Sequence, residues 1–539
     1  MTEQCARRNT IYLIAATSIV RMFLAAITGL GTGESYYFRG AQQLHLSYFD
    51  QPPLFFWVSH FTLMLFGENA FALRLPAILF FAATCWLLFL ITKKFYSAHA
   101  GFYAVLLINL SAVFTISVGM WFQPDAPLMF FWMLSTYCII KLFFPERDEF
   151  LQKSDYVYKW WVLAGLSLGF TTLSKYHVIF LVAGAFVFCL LSDVHRRWIT
   201  HPGPYIALII NVILSLPIVI WNAQHNWVSF LFQGSRATGG GTFQLHIDWF
   251  LRSIAGQAAW LLPWIWLPLV WQLFVLSRSS HPKEKFLFWI SVLPVVFFTV
   301  VTLWNDLQFH FHWQAPGYMM LFIPLSNSVH KFITEGNTRR KRITVYWLRT
   351  STAFTLVTIL ILGTHMVTGF WTWYGPKWFV GLFGEKVDPT IDGNDYTDIR
   401  TLFEEKGWLT NDSIVAGAVR WWMVGKVDWA LRGKKDVICF GENPRNHSFF
   451  IDPKKSLGKD VIVFSRNQQD LVEWNVKPYF DSVTQLPDLN IMRNGVAELT
   501  LQVYYCKNFK IPQQPADANS HLRRMVIYRQ LNGMAPYGE

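Results

Sequence analysis

The chain has 539 residues, of which 53% are hydrophobic and only 15% are charged, and its mean hydropathy is +0.28. Soluble domains carry about 25% charged residues, so this composition excludes an ordinary soluble protein. The net charge of +12 would suggest a nucleic-acid partner in a soluble chain. Here the cations lie in short loops between apolar runs, which is typical of membrane proteins. We therefore predict a polytopic membrane protein that binds membrane lipids and no nucleic acid.

Apolar segments recur through the first two thirds of the chain, and a membrane span needs about 17–25 residues. On this criterion we predict an all-α membrane domain with about eleven transmembrane helices. They lie at 11–30, 75–91, 101–120, 126–144, 160–174, 178–191, 205–221, 249–276, 286–303, 318–329 and 345–367. Three of these runs are short, so the count could differ by one or two. The first run lacks a small-residue cleavage site, so we do not interpret it as a signal peptide.

The loop cations predict the topology. Basic residues cluster at 7–8, 93–94, 196–197, 278–285 and 339–342. All of them fall on one side if the spans alternate, and the positive-inside rule makes that side the cytoplasm. The N-terminus is then cytoplasmic, and the chain beyond residue 367 lies outside. In a bacterial inner membrane, that side is the periplasm.

The outer loops hold the chemically unusual side chains. These are Glu34, Tyr36, Tyr37, Asp50, Asp125, Lys175, Tyr176, Arg236, His310 and His312. Ionisable groups at a membrane boundary are costly and generally functional. A carrier or flippase would more often place them at the bilayer midplane. Their position at one interface favours an enzyme that acts on a lipid-linked substrate.

The three carboxylates are candidate catalytic groups, and each also has a structural interpretation. Glu34 could be a helix N-terminal carboxylate that the macrodipole favours. Asp50 could cap the helix that begins near Pro52, and Asp125 could cap the fourth span. Tyr36 and Tyr37 are candidate substrate contacts or interface anchors.

The cations are candidate phosphate ligands. Lys175 could instead snorkel to the interface. Arg236 precedes the glycine run at 239–241, a loop that could close over a substrate or simply be solvated. His310 and His312 alternate in sequence, so an extended segment would project both to one side. They could bind a sugar or a phosphate, or His312 could bind a divalent metal together with Asp50.

The segment after residue 367 changes character. An aromatic belt at 370–374 precedes a polar region with a predicted helix at 397–406 and strands at 436–440, 460–464 and 497–505. We predict a membrane domain over 1–369 and a small α/β extracytoplasmic domain over 370–539. Cys439 and Cys506 both fall in the second domain, where a disulfide could form.

Several motifs together resemble one known family. The runs Gly33-Glu34-Ser35-Tyr36-Tyr37 and Tyr48-Phe49-Asp50-Gln51-Pro52-Pro53 are similar to the first external loop of the dolichyl-phosphate-mannose–protein mannosyltransferase relatives (PMT, glycosyltransferase family 39). This family includes the bacterial lipid A aminoarabinose and galacturonosyl transferases. Further matches are 67–76, 123–127 and 165–176. The resemblance covers about residues 11–329.

The resemblance implies a GT-C fold and an inverting glycosyltransferase that uses a polyprenyl-phosphate sugar donor. The implied acceptor is lipid A or lipopolysaccharide; a protein acceptor and a carrier of lipid-linked sugars are the alternatives. Two positions depart from the family pattern. Gly33 replaces the usual Asp of the first acidic motif, so Glu34, Asp50 or Asp125 must take that role. Gln51 stands where aminoarabinose-type enzymes carry a Lys, so a phosphate contact must come from elsewhere.

Overall fold

The computed structural model describes residues 2–146, 154–238, 244–306, 310–370, 388–513 and 521–537. The first part of the chain is helical. Its helices are α1 (Glu3–Ile27), α2 (Thr32–Gln42), α3 (Leu54–Phe66), α4 (Ala70–Phe95), α5 (Ala98–Asn109), α6 (Asp125–Phe143), α7 (Ser154–Ser174), α8 (Val178–Leu191), α9 (Pro202–Gln224), α10 (Val228–Thr238), α11 (Ile247–Leu261), α12 (Pro263–Arg278), α13 (Pro282–Val300), α14 (Ala315–Thr334) and α15 (Thr338–Thr368). The glycine run at 239–241 and residues 371–374 of the predicted belt lie outside the described residues.

The membrane character of this part is confirmed, whereas the number of spans is not. Six described helices are long and apolar enough to cross a membrane. The segment predicted as one span at 249–276 is instead two helices, α11 and α12, bent by 112°. The break falls at Leu262, whose φ is +71°, immediately before Pro263. Proline disfavours a helical conformation in the preceding residue and donates no backbone hydrogen bond, so the helix stops there.

The predicted span at 101–120 also differs from the structure. Helix α5 ends at Asn109, and a π-helical segment follows over Val113–Val118. Arg21 of α1 lies beside it and donates from Nη2 to Asn109 Oδ1 at 2.8 Å and from Nε to the Thr115 carbonyl at 3.2 Å. Arg21 therefore stabilises the irregular backbone that leads toward Asp125.

The chain forms two compact units. The first comprises residues 1–23, 51–55 and 74–357, and the second comprises 24–50, 56–73 and 358–539. The predicted division between residues 369 and 370 stays a prediction. The first unit has an extended apolar core. Trp132 of α6, Phe114 of the π-helical segment and Phe322 of α14 are fully buried in it.

The second unit contains a mixed six-stranded sheet. Its elements are α16 (Thr397–Glu405), β1 (Ile414–Ala418), α17 (Trp421–Ala430), β2 (Val437–Cys439), β3 (Asp460–Ser465), α18 (Gln469–Asn475), β4 (Ser482–Gln485), β5 (Leu489–Arg493), β6 (Val496–Lys507) and α19 (Val526–Leu531). The order is β2-β1-β3-β6-β4, with β5 also paired to β6. Strands β1, β2 and β3 are parallel, and β6 is antiparallel to its neighbours.

Both faces of this sheet are covered. Alternate residues of β1, such as Ile414 and Val415, point into separate apolar clusters. Helices α16 and α17 contribute to one cluster, and α18 and α19 to the other. The predicted small α/β region is confirmed, together with its three predicted strands and the predicted helix.

The disulfide considered for Cys439 and Cys506 is absent, because both residues are free thiols. Cys439 lies on β2 and Cys506 on β6, and strands β1 and β3 separate them. Three strand spacings amount to about 14 Å, which is too far for a disulfide.

Candidate functional site

The predicted site residues fall into two groups, one in each compact unit. In the first unit, a cavity of about 490 Å³ is lined by Gln51, Lys175, Tyr176, His177, Arg236 and Trp313. Gln233 and Gly234 also line it, and its apolar wall is formed by Ile179, Phe180, Phe230, Phe297, Phe298 and Val301. We call this the basic cavity. It combines cations with an apolar wall.

A buried ion pair lies at the basic cavity. Asp125 is the first residue of α6, and Lys175 follows directly after α7. Because α6 and α7 are consecutive packed helices, the start of one lies beside the end of the other. Lys175 Nζ donates to Asp125 Oδ1 at 3.0 Å, and the two side chains are 7% and 2% exposed. Burial lowers the pKa of Lys175, and the Asp125 carboxylate opposes this shift.

Arg236 supplies a second cation, from the end of α10. Its guanidinium lies 4.9 Å from the centre of the Trp313 ring, and its Nη2 is 2.7 Å from His310 Nε2. Since arginine can only donate, His310 Nε2 accepts this hydrogen bond, so His310 is neutral in this arrangement. Tryptophan faces attract cations, and Trp313 therefore holds Arg236 in position.

Two further histidines of this unit are also neutral. Burial lowers the pKa of His312 to about 4, and the nearby Lys175 and Arg236 add to that effect while Asp125 opposes it. Burial likewise lowers the pKa of His177 well below its usual value. His177 stacks on Phe298 with ring centres 4.6 Å apart. Among the described residues, the fixed charges of the basic cavity therefore come from Lys175 and Arg236, beside the Asp125 carboxylate.

The second group centres on Asp50, which is only 3% exposed. Tyr36 donates from its hydroxyl to Asp50 Oδ2 at 3.0 Å, and Asn446 Nδ2 donates to Asp50 Oδ1 at 2.8 Å. The backbone N–H of Asn446 donates to the Tyr36 hydroxyl at 3.0 Å, which closes the network. Burial raises the pKa of Tyr36, and the Asp50 charge adds to the rise. Tyr36 therefore stays protonated and orients the carboxylate.

Glu34 and Tyr37 lie on the same helix, α2, as Tyr36. Glu34 Oε2 accepts a hydrogen bond from the Gly31 backbone N–H at 2.8 Å, as part of a capping box. This is the helix-terminal role that the sequence left open for Glu34. Tyr37 packs against Tyr36 and edge-on to Phe56, with ring centres 4.9 and 5.6 Å apart.

Sequence reasoning missed Asn446 and His177. Asn446 lies 396 residues from Asp50, in a region without a recognisable motif. His177 directly follows the predicted residues Lys175 and Tyr176, and its place in the short turn between α7 and α8 was the available signal. Among the described residues, no group of three or more His, Cys, Asp or Glu side chains could hold a metal ion. Metal binding by Asp50 and His312 therefore stays an untested prediction.

The chain is similar to known proteins in sequence and in fold. Residues 50–221 match the family model of dolichyl-phosphate-mannose-protein mannosyltransferase. The crystal structure of ArnT from Cupriavidus metallidurans bound to undecaprenyl phosphate matches with a TM-score of 0.61 at 12% identity, over 92% of this chain and 97% of that one. The chain has the GT-C fold. The predicted resemblance is thereby confirmed.

Two curated relatives of this GT-C protein are sugar transferases by name. Lipid A galacturonosyltransferase RgtD of Rhizobium johnstonii is 28% identical over 266 residues, which are 49% of this chain and 53% of that protein. The undecaprenyl phosphate-alpha-4-amino-4-deoxy-L-arabinose arabinosyl transferase of Edwardsiella ictaluri is 26% identical over 272 residues, 48% and 46% of the respective chains. The chain thus spans about half the length of the curated relatives that it matches.

Proposed function

We propose that this protein is an inverting glycosyltransferase of the bacterial inner membrane. It moves a sugar from a polyprenyl-phosphate donor to an envelope acceptor, lipid A or lipopolysaccharide, at the periplasmic face. The observation that carries the proposal is the basic cavity, in which Lys175 and Arg236 lie beside an apolar wall. A polyprenyl phosphate has the same division, with an anionic head and a hydrocarbon tail. The arabinosyl transferase relative, which is named for an undecaprenyl-phosphate sugar, and the ArnT structure bound to undecaprenyl phosphate support the same donor class.

Lys175 and Arg236 bind the donor phosphate in this proposal. Hydrogen bonds from cationic groups to phosphate are about twice as strong as neutral ones, and an Arg can contact phosphate through two nitrogens. The phosphate gains charge as the bond to the sugar breaks. Cations already in position stabilise that charge without reorganising, which is usually a large catalytic contribution. Phe297, Phe298 and Phe180 bind the first prenyl units.

Asp50 is the favoured general base among the three candidate carboxylates. Asp125 is engaged in the ion pair with Lys175, and Glu34 caps α2. Asp50 is oriented by Tyr36 and Asn446, which donate one hydrogen bond to each of its carboxylate oxygens. Its carboxylate takes the proton of the acceptor hydroxyl while that oxygen bonds to the anomeric carbon. The bond from the anomeric carbon to the phosphate oxygen breaks, and polyprenyl phosphate leaves with the electron pair.

The test is a transfer assay with the purified full chain in nanodiscs. Radiolabelled undecaprenyl-phosphate sugars are offered with lipid A, and the wild type is compared with Asp50→Asn and Glu34→Gln. We expect label on lipid A with the wild type, a loss of at least about 100-fold with Asp50→Asn, as for removal of a general base, and a smaller loss with Glu34→Gln. Transfer that survives in Asp50→Asn would refute the assignment of the base. No transfer from any donor, despite donor binding, would instead favour a carrier.

A further inference from the structure

The second unit contains another cavity, of about 460 Å³, that the proposed reaction does not use. Its polar lining residues are Glu442, Asn443, His521, Arg524, Arg529 and Tyr537. We call it the C-terminal cavity. Among the described lining residues there are two arginines and one carboxylate, Glu442, which lies 3.5 Å from His521 Nδ1, so the cavity favours an anionic ligand.

The geometry of the lining supports binding rather than simple packing. Arg524 is exposed, and it belongs to a helical turn at His521–Arg524. Arg529 Nε donates to the Ala535 carbonyl at 2.8 Å, which fixes its guanidinium against the segment that leads to Tyr537. His521 Nε2 lies 2.8 Å from Asn475 Oδ1. Arginine in a fixed orientation suits phosphate and carboxylate groups, because its planar fork matches their geometry.

The wall of the C-terminal cavity also offers neutral hydrogen-bonding groups. The Tyr537 hydroxyl donates to Asn443 Oδ1 at 3.0 Å and accepts from the Arg445 backbone N–H at 2.7 Å. Amide and aromatic hydroxyl groups beside cations are suited to a sugar, whose hydroxyl groups both donate and accept. Together these side chains point to an anionic saccharide.

The same wall is connected to Asp50. The Tyr537 ring stacks on Phe49, the residue before Asp50, with centres 4.7 Å apart. The backbone N–H of Phe49 donates to Asn446 Oδ1 at 2.8 Å, and Asn446 in turn holds Asp50. A ligand in contact with Tyr537 therefore lies against the structure that orients the proposed base.

The loop between the cavity and Asp50 is held in an unusual conformation. Arg445 has a φ of +53°, in the left-handed region that bulky side chains rarely adopt. Such conformations are strained and persist where the surroundings enforce them, often at binding sites. Here the backbone N–H of Arg445 donates to the Tyr537 hydroxyl, and the backbone N–H of the following residue, Asn446, donates to the Tyr36 hydroxyl.

We propose that the C-terminal cavity binds an anionic saccharide and that this sugar belongs to the acceptor, a role that rests on the proposed function. Arg524 and Arg529 bind the anionic substituent. Tyr537 and Asn443 bind sugar hydroxyl groups. The cavity thus selects acceptors by charge, in the same compact unit that holds Asp50.

The test is equilibrium binding to the full chain in nanodiscs that lack lipid A and donor. Glucose, glucose 6-phosphate and glucuronate differ only at carbon 6, so they isolate the effect of the charge. We expect radiolabelled glucose 6-phosphate to bind at least about tenfold more tightly than glucose, with glucuronate competing, because charge-assisted hydrogen bonds are the stronger ones. Arg524→Gln should remove this preference, Arg524→Lys should retain part of it, and Arg400→Gln, on α16, should leave it unchanged.

Two further outcomes decide the assignment to the acceptor. Lipid A added to the nanodiscs should displace glucose 6-phosphate, whereas persistent binding would mean that the cavity takes a soluble sugar and would overturn that assignment. Equal affinity for glucose and glucose 6-phosphate, or an unchanged preference in Arg524→Gln, would overturn the site itself. These measurements need no donor and no turnover, so a failure of the proposed transferase activity would be seen separately.

Discussion

Arg236 and Lys175 lie in different environments, which makes Arg236 the cleaner test of phosphate binding. Replacing Arg236 by Gln removes a cation that lies over Trp313 and next to His310. We expect the affinity for undecaprenyl phosphate to fall about tenfold or more, since hydrogen bonds to charged groups contribute about 1.5–3 kcal/mol. Arg236→Lys should restore part of the loss. Arg252→Gln, at a position with a 59% exposed side chain, is the matched control and should bind normally. Unchanged affinity in Arg236→Gln would contradict the role.

Lys175 also balances a buried carboxylate, so its replacement has two effects. Lys175→Gln leaves Asp125 buried without its cation, which typically destabilises a protein by about 3–5 kcal/mol. The double variant Asp125→Asn/Lys175→Gln should recover most of that stability but not the affinity for undecaprenyl phosphate. Thermal unfolding in detergent and a binding assay on the same samples separate the two effects. Recovery of both would mean that the pair is structural only.

At the scale of elements, the close packing of α2 against α17 positions Tyr36. A Cβ on Gly425 of α17 would lie 2.6 Å from Tyr36 Cα and 2.7 Å from its backbone nitrogen. Backbone atoms cannot move as a side-chain end can, so Gly425→Ala must separate the two helices. We expect a loss of about 1–3 kcal/mol in unfolding free energy, typical of overpacking, and reduced transfer because Tyr36 no longer orients Asp50.

The control for Gly425→Ala is Gly363→Ala in α15. There the nearest atom to a new Cβ is the side-chain end Leu24 Cδ2, at 3.1 Å. A small rotation of Leu24 accommodates it, so stability and transfer should change little. If Gly425→Ala changes stability and transfer as little as Gly363→Ala does, then α2 and α17 tolerate separation.

The elements that the sequence predicts well are those with a local signal. The run at 178–191 matches α8 exactly because the whole segment is apolar, and 460–464 lies within β3 because it is β-branched. The helix break at Leu262 was missed, although Pro263 follows it. The composition of 249–276 indicates burial in a membrane, but it does not indicate whether the segment runs as one straight helix or as two helices that meet at an angle. Asn446 was not predictable, because its role depends on a contact with Asp50 that only the folded chain creates.

In the candidate site, too, the residues with a local sequence signal were predictable, whereas their contacts were not. The outer-loop motifs identified Asp125, Lys175, Arg236 and His310, and the structure brings Asp125 to Lys175 and Arg236 to His310. The motifs did not indicate which carboxylate pairs with which cation. That choice is made by the packing of α6 on α7 and by the stacking of Arg236 on Trp313. Residue types in a pattern therefore predict candidate groups for the chemistry, while long-range packing decides which of them contact each other.

For the molecule as a whole, buried histidines should make folding sensitive to acid. Burial lowers the pKa of His447 to about 3, and the neighbouring Arg39 contributes to the shift; His447 Nε2 bonds to the Trp421 carbonyl at 3.2 Å. An unfolded histidine titrates near 6.5, so below that pH the unfolded chain binds a proton that the folded chain does not. The stability conferred by a neutral His447 is therefore complete above about pH 6.5 and is lost as the pH falls toward 3.

His312 in the first unit has its pKa lowered to about 4 and acts in the same direction, so both units should weaken together in acid. For His447 alone the loss between pH 7 and pH 5 is about 2 kcal/mol. Thermal unfolding in detergent at both values measures it, with His281→Gln, at an exposed position, as the control. His447→Gln keeps a donor for the Trp421 carbonyl but cannot titrate, so its unfolding temperature should fall less on acidification than that of the wild type. An equal fall in both proteins would mean that His447 binds its proton in the folded state, contrary to the burial that the structure gives it.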